Sequence, residues 1–293
     1  METLSLTRDE LLELVNVIAS EVLREMHQSA RNKDGQAGTK GGSRGPEASA
    51  RNPAPPAMDA RAVRMSPDVR KLAGLFDHTL LRPDATRAQV EKLCDEARLL
   101  GMAAACVNPV WVPFAAERLR GSAVKVVTVA GFPLGATFTL VKRAAAEAAI
   151  RAGAQEIDMV MDIGALKSGD VDRVENDIRG VVEVCDAARA AVKVILETGY
   201  LSDPEKVTAS EIAKKAGADF VKTSTGLGPS GATEADVRLL RQTVGPEMGV
   251  KAAGGIRTLS DALRMLEAGA SRLGSSASVA IVDEAARRMT DRR

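Results

Sequence analysis

From about residue 68 onward, short β-like runs alternate with longer helical ones, and this alternation constrains the fold more than any other feature of the chain. Eight candidate strands can be read: "LFDHTLL", "AAACVN", "KVVTVAGF", "EIDMVMD", "VKVILET", "FVKTSTG", "GVKAAGG" and "RLGSS". The intervening segments carry helix signatures. Residues 137–152, "TFTLVKRAAAEAAIRA", stop at Gly153, and residues 203–216 run from an Asp-Pro start to Gly217. Repeated strand–helix alternation implies a parallel sheet. Eight units in roughly 225 residues fit a closed (β/α)8 TIM barrel, a fold that typically takes ~250. An open doubly wound sheet is the alternative.

A barrel of this kind sorts the lysines. The C-terminal ends of its strands form the active face, and the N-terminal ends serve stability. Lys125 and Lys193 stand early in "KVVTVAG" and "VKVILETG" and are expected at the bottom, in solvent. Lys222 and Lys251 instead precede "TSTG" and "AAGG", where strand gives way to loop, and are expected to point inward near the mouth. On neighbouring strands they would be about 4.8 Å apart in the hydrogen-bonding direction.

Two ammonium groups so placed disfavour each other's protonation, and at least one pKa must fall. An ordinary lysine is neutral only about 0.04% of the time at pH 7; lowering its pKa by about 3 multiplies the nucleophilic amine about 10³-fold. Such an amine can form a Schiff base with an aldehyde or ketone. The structural alternative is two long side chains snorkelling to solvent. In "EIDMVMD", alternation places Ile157, Met159 and Met161 against the helices and Glu156, Asp158, Val160 and Asp162 inside. Asp158 could pair with Lys222 or Lys251 and move protons through a water, or serve as a structural ion pair.

Gly-rich loops follow the last three strands: "TSTGLGPSG", "AAGGIRT" and "GSSAS". Loops after strands seven and eight are the recurrent phosphate site of the barrel, where backbone N–H groups and helix N-termini face the anion. Gly254, Gly255, Arg257, Gly274 and Ser276 are the candidates, and they imply a phosphorylated substrate.

Composition narrows the function. Lys+Arg 40 against Asp+Glu 39 gives a net charge of +1, and aromatics are only 2%, which together argue against a nucleic-acid surface or an anionic membrane as partner. No run is apolar for long enough to span a bilayer. Two histidines and three scattered cysteines carry no metal-ligand spacing and fit a reducing cytoplasm.

With these residues in place, the chain from about Leu72 to Val282 resembles the deoxyribose-phosphate aldolases. The motifs are "FDHTLLRPDAT", "CVNP", "GFPLGA", "EIDMVMDIGALKSGD", "VKVILETGYL", "ADFVKTSTG", "GATEADVRLLR", "VKAAGGIRT" and "EAGASRLGSS". The resemblance implies interconversion of 2-deoxy-D-ribose 5-phosphate with D-glyceraldehyde 3-phosphate and acetaldehyde, with no cofactor or metal. It places the Schiff-base lysine at Lys222, the pKa-lowering lysine at Lys251 and the proton-relay aspartate at Asp158. Asp77, Cys106 and Thr225 match substrate-pocket positions, and the five candidates above match the phosphate loops. It also implies a homodimer. Departures are Ala277 after Ser276 where paired serines are common, "KAAGG" in the second lysine loop, and a tail "MTDRR" without a tyrosine.

Residues 1–28 lie outside this core. Thr7 and Glu10 have capping-box spacing, and Leu11, Val15, Ile18, Val22 and Met26 form one helical stripe. Residues 29–67, rich in Gly, Ala, Pro and Ser, read as a flexible linker to the barrel at 68–293. A helix on such a linker resembles the encapsulation peptides that attach enzymes to bacterial microcompartment shells. A self-associating helix and an incidental tail are the alternatives. Competing functions for the whole chain are a non-catalytic barrel scaffold and a lysine aldolase for another phosphorylated aldol.

Overall fold

The computed structural model describes residues 65–290 together with Thr7, Asp9, Glu10, residues 12–17 and Ser20. Its centre is a closed barrel of eight parallel strands in sequence order, β1 to β8, with β8 returning to β1. The strands are β1 Phe76–Leu80, β2 Ala104–Val107, β3 Lys125–Ala130, β4 Glu156–Val160, β5 Ala191–Ile195, β6 Phe220–Lys222, β7 Gly249–Ala253 and β8 Arg272–Ser275. All eight predicted runs are strands, and the open sheet is excluded.

Helix α1, Pro67–Ala73, precedes β1. Helices α2 Arg87–Leu100, α3 Val112–Arg118, α4 Thr139–Arg151, α5 Ile163–Lys167, α6 Val171–Ala187, α7 Asp203–Lys215, α8 Glu234–Val244, α9 Leu259–Glu267 and α10 Ser278–Thr290 fill the crossovers and cover the end of the chain. Their limits follow local chemistry. Thr86 and Gln89 close a capping box at the start of α2, which stops at Gly101 with φ 68. Ser202 and Glu205 cap α7 in the same way, with Pro204 in the first turn.

Strand alternation divides the interior. Outward residues such as Ile157, Met159, Val192, Val194, Val221, Val250 and Leu273 are buried against the helices in one continuous apolar shell. Each fully buried side chain of this size is worth about 1.5–3 kcal/mol. Inside the barrel Ala104, Cys106 and Val127 form a small apolar cluster. Other inward positions hold the buried charged groups Asp77, Glu156, Asp158, Lys193, Lys222 and Lys251.

At the N-terminus, Thr7 and Glu10 form the expected box: Thr7 N donates to Glu10 Oε2 at 2.8 Å, and Glu10 N donates to Thr7 Oγ1 at 3.3 Å. Residues 12–17 are helical. Leu14 and Val15, 3% and 1% exposed, belong to the same apolar shell as the barrel helices. Leu11, Ile18, Val22 and Met26 of the stripe, and linker residues 29–64, lie outside the described residues. Just before residue 68, Ser66 caps α1 and its hydroxyl meets Met289 Sδ at 3.7 Å.

The loop after β3 shows how tightly the rim is built. Gly135 has φ 69, and a Cβ there would fall 1.9 Å from the carbonyl oxygen of Met161. Gly121, with φ 75, has nothing within 4 Å of the same position. Gly135→Ala is therefore expected to combine left-handed strain with overpacking and to lower the unfolding free energy by about 2–5 kcal/mol, against about 1–2 for Gly121→Ala. Urea denaturation of the two variants beside the parent chain measures the difference; equal losses would mean that the rim relaxes freely.

Candidate active site

The site begins with register. Lys222 on β6 and Lys251 on β7 are direct Cα partners, as are Asp158 on β4 and Lys193 on β5. All four point inward, where a charged side chain needs a partner. Asp158 provides it: its Oδ2 accepts from Lys222 Nζ at 2.8 Å and from Lys251 Nζ at 2.7 Å, and its Oδ1 accepts from Lys193 Nζ at 2.9 Å. Asp77 on β1 bonds Lys251 and takes Arg272 Nη1 at 2.7 Å. Glu156 pairs with Lys193 at 2.5 Å and with Arg272 at 3.3 Å.

Lys193 corrects the sequence reading. It is 0% exposed inside the barrel, not solvated at the bottom. The alternation applied to β4 finds it when applied to β5: Val192, Val194 and Leu196 join the outer shell, which turns Lys193 and Ile195 inward. Lys125 meets the expectation, with a side chain 33% exposed near the base and Nζ 3.5 Å from Glu156.

Neighbouring side chains are trimmed to fit this network. Gly274 on β8 leaves room for the stem of Lys251, since a Cβ there would lie 3.1 Å from Lys251 Cε. Gly249 makes space for the Phe220 ring, whose face lies 5.9 Å from Lys193 Nζ and 5.5 Å from Arg272 Cζ, within cation–π range.

Lys222 and Lys251 are electrostatically unequal. Burial lowers the pKa of Lys222, and the Lys251 charge adds to that, outweighing its one carboxylate partner, Asp158. Burial acts on Lys251 in the same sense, but Asp158 and Asp77 together raise its pKa above the ordinary value. Burial also opposes ionisation of Asp158, yet Lys193, Lys222 and Lys251 hold its carboxyl well below the usual range. Asp77 and Glu156 are depressed for the same reason, against burial, by Lys251 with Arg272 and by Lys193 with Arg272. Three carboxylates thus face four buried or largely buried cations in the network, Lys193, Lys222, Lys251 and Arg272, with Lys125 near the base 3.5 Å from Glu156. Of Lys193, Lys222 and Lys251, Lys222 is the one whose pKa falls.

Above the network a cavity of about 350 Å³ opens at the C-terminal face. Its lining brings together Lys222, Thr225, Gly254, Gly255, Arg257, Gly274 and Ser276, along with Arg82, Phe132 and Leu227, which the sequence reading did not single out. Gly254 and Gly255 both have positive φ, 89 and 79, so the loop turns through conformations open to glycine and presents its backbone. The hydroxyl pair on the β8 loop is Ser275–Ser276; Ser275 Oγ donates to Ile256 O at 2.7 Å, tying this loop to the preceding one, while Ala277 packs against the apolar shell. Asp158, Lys251 and Asp77 lie beneath the cavity and do not line it. Cys106 is fully buried beside Ala104 and Val127, and burial pushes its thiol up to about 11. It stays protonated at neutral pH.

Residues 71–281 match the family described as DeoC/LacD family aldolase, and the chain belongs to that family. Among its relatives, a deoxyribose-phosphate aldolase of Aciduliprofundum boonei is 57% identical over 216 residues, covering 74% of this chain and 97% of the relative. Another, from Streptococcus pneumoniae serotype 19F, is 58% identical over 72% of this chain and 96% of its own length. The solved structure of a tetrameric deoxyribose phosphate aldolase from Aeropyrum pernix superposes with a TM-score of 0.70 at 34% identity, covering 77% of this chain and 97% of that one.

Lys193→Met removes one cation from Asp158 and Glu156 and leaves buried carboxylates under-compensated. It is expected to destabilise the barrel by about 3–5 kcal/mol. Guanidinium unfolding at neutral pH tests this, and a loss under 1 kcal/mol would show that Lys193 is not integral to the network.

Proposed function

We propose that this aldolase reversibly cleaves 2-deoxy-D-ribose 5-phosphate to D-glyceraldehyde 3-phosphate and acetaldehyde through a Schiff base on Lys222. The observation that carries the proposal is the position of Lys222. Its amine, with lowered pKa, stands where the charged network meets a cavity walled by glycine-rich loops and Arg257.

The residues divide the chemistry. Neutral Lys222 adds to C1 of the open-chain sugar phosphate. Asp158, held ionised, moves the proton of the adding amine through a water to the C1 oxygen, and a second proton taken up from solvent lets that hydroxyl leave as water, giving an iminium ion. The C3 hydroxyl proton passes through the water to Asp158 as the C2–C3 pair moves toward the iminium, releasing D-glyceraldehyde 3-phosphate and leaving an enamine. The same proton returns to C2, and water hydrolyses the resulting iminium to acetaldehyde and free Lys222. Lys251 stays protonated between Asp77 and Asp158 and keeps the Lys222 pKa low. Thr225, Gly254, Gly255, Arg257, Gly274 and Ser276 hold the phosphorylated substrate, with backbone N–H groups and the guanidinium toward the phosphate. Asp77 and Cys106 form the floor beneath them. No cofactor enters this scheme.

Borohydride reduction with acetaldehyde, followed by peptide mass analysis, should place a two-carbon adduct on Lys222 alone, and Lys222→Ala should lose on the order of 10⁴-fold or more in kcat. Lys251→Met removes a like charge and a competitor for Asp158, so the Lys222 pKa should rise and the acid limb of the pH–rate profile should move to higher pH. A well-folded parent chain that forms no adduct would favour the scaffold reading. Adduct formation without cleavage of the deoxyribose phosphate would favour another phosphorylated aldol.

The N-terminal extension fits an encapsulation peptide, a partner for microcompartment shell proteins within a cytoplasmic location. A shell would retain volatile acetaldehyde. Leu14 and Val15 are covered in this chain, so shell binding requires the helix to leave the barrel. Removal of residues 1–64, which preserves the Ser66 cap, should leave turnover intact and abolish co-sedimentation with shells; loss of turnover would end the modular picture. A homodimer is the other proposed assembly, and exposed Leu134, Phe138, Leu140 and Val141 offer it an apolar face.

A further inference from the structure

At the end of β5 the chain takes a turn that L residues rarely make. Glu197 has φ 55 and ψ 63, in the left-handed region, where a side chain with a Cβ costs about 1–2 kcal/mol. It is also a carboxylate only 2% exposed. β5 remains paired with β6 up to this point: Leu196 N donates to Lys222 O at 2.9 Å and Thr198 N donates to Thr223 O at 3.0 Å. The unusual backbone at Glu197 is thus local and redirects a single side chain.

That side chain reaches the loop after β6. Its carboxylate accepts from the Thr225 amide, at 3.2 Å to Oε2, and from the Thr225 hydroxyl. Thr225 Oγ1 in turn accepts from Leu227 N at 3.0 Å, so one carboxylate organises two turns of the loop. Gly228 lies against it; a Cβ there would fall 2.6 Å from Glu197 Cδ. Gly199 packs similarly on Ser230, with only 2.5 Å from a built Cβ to Ser230 Oγ. The far end of the loop is fixed separately, by Ala232 N donating to Gly254 O at 3.0 Å. Between these anchors Thr225, Gly226 and Leu227 line the cavity together with Lys222, Gly254 and Gly255.

We infer that Glu197 is a positioning residue for the aldolase reaction: through Thr225 it fixes the wall that joins the reacting amine to the phosphate end of the cavity. It does not line the cavity itself. The strained backbone is stable because the carboxylate meets two donors of one residue, and charge-assisted hydrogen bonds of this kind are the strong ones. The inference rests on the cavity being the substrate site proposed above.

Glu197→Gln keeps the size but removes the charge from the oxygen that accepts from the Thr225 amide and hydroxyl, and places an N–H₂ where Oε1 faces the Thr225 amide. KM for 2-deoxy-D-ribose 5-phosphate should rise on the order of 10-fold, as expected for one lost charged hydrogen bond. The rate of borohydride-trapped acetaldehyde adduct at Lys222 should change much less, because that aldehyde has no phosphate end to orient. Thr225→Val should give the same KM rise, and the double variant should be no worse than either single one. Gly228→Ala approaches the same contact sterically and should shift KM in the same direction. Circular dichroism and thermal melts establish folding, and if Glu197→Gln fails to fold, Thr225→Val and Gly228→Ala carry the comparison. An unchanged KM in folded variants would overturn the positioning role, as would an adduct rate that falls in step with KM. If the parent chain itself neither cleaves the sugar phosphate nor forms an adduct, the substrate assignment fails instead.

Discussion

A single carboxylate shared by three lysines organises this barrel. Asp158 meets Lys193 through one oxygen and Lys222 and Lys251 through the other. A buried charge left alone would be expelled or neutralised. Here each group is tolerated because the others are present, so no member of the network can be understood as an isolated pair. The register of β4 to β7 makes this possible, since direct Cα partnership brings Asp158 beside Lys193 and Lys222 beside Lys251. The inequality between Lys222 and Lys251 follows from geometry: Lys251 has two carboxylates and Lys222 has one.

Several features apart from the network serve it. The missing side chains of Gly274 and Gly249 give Lys251 and Phe220 their places. The apolar shell outside the strands leaves the inward positions free for chemistry, as the alternation of Ile157 and Met159 with Glu156 and Asp158 illustrates. The loops above are tied to one another, Ser275 to Ile256, Ala232 to Gly254 and Glu197 to Thr225. The cavity wall is therefore a connected collar.

Much of this was legible in the residues. Strand–helix alternation identified the barrel because eight short apolar runs with helical spacers have few other ways to bury themselves. The positions of Lys222 and Lys251 before their loops bring them side by side inside the barrel, with Lys222 at the cavity and Lys251 beneath it, and the alternation of β4 turns Asp158 inward. The position of Lys193 early in its run suggests the base, and only the parity of Val192 and Val194 turns it inward. Arg272 and Glu156 were not recognised as part of one network because that needs the β8–β1 closure and the partners across the barrel, which no local window contains. Glu197 was hidden for a different reason: its conformation is set by Thr225 and Gly228, about thirty residues further on. At the N-terminus the Thr7–Glu10 box was readable, whereas the burial of Leu14 depends on the surface it meets.

The sharing of Asp158 inside the barrel reaches beyond the choice of nucleophile. Among the described residues Asp158 is the carboxylate within salt-bridge distance of Lys222, and it is already shared with Lys193 and Lys251. An iminium ion formed on that amine fixes a positive charge that Asp158 meets only in part. In the proposed reaction further negative charge arrives with the substrate, on the phosphate held by the loops above. Phosphate binding and iminium formation then stabilise each other across the cavity, and the sugar phosphate acts as counterion to the intermediate it becomes.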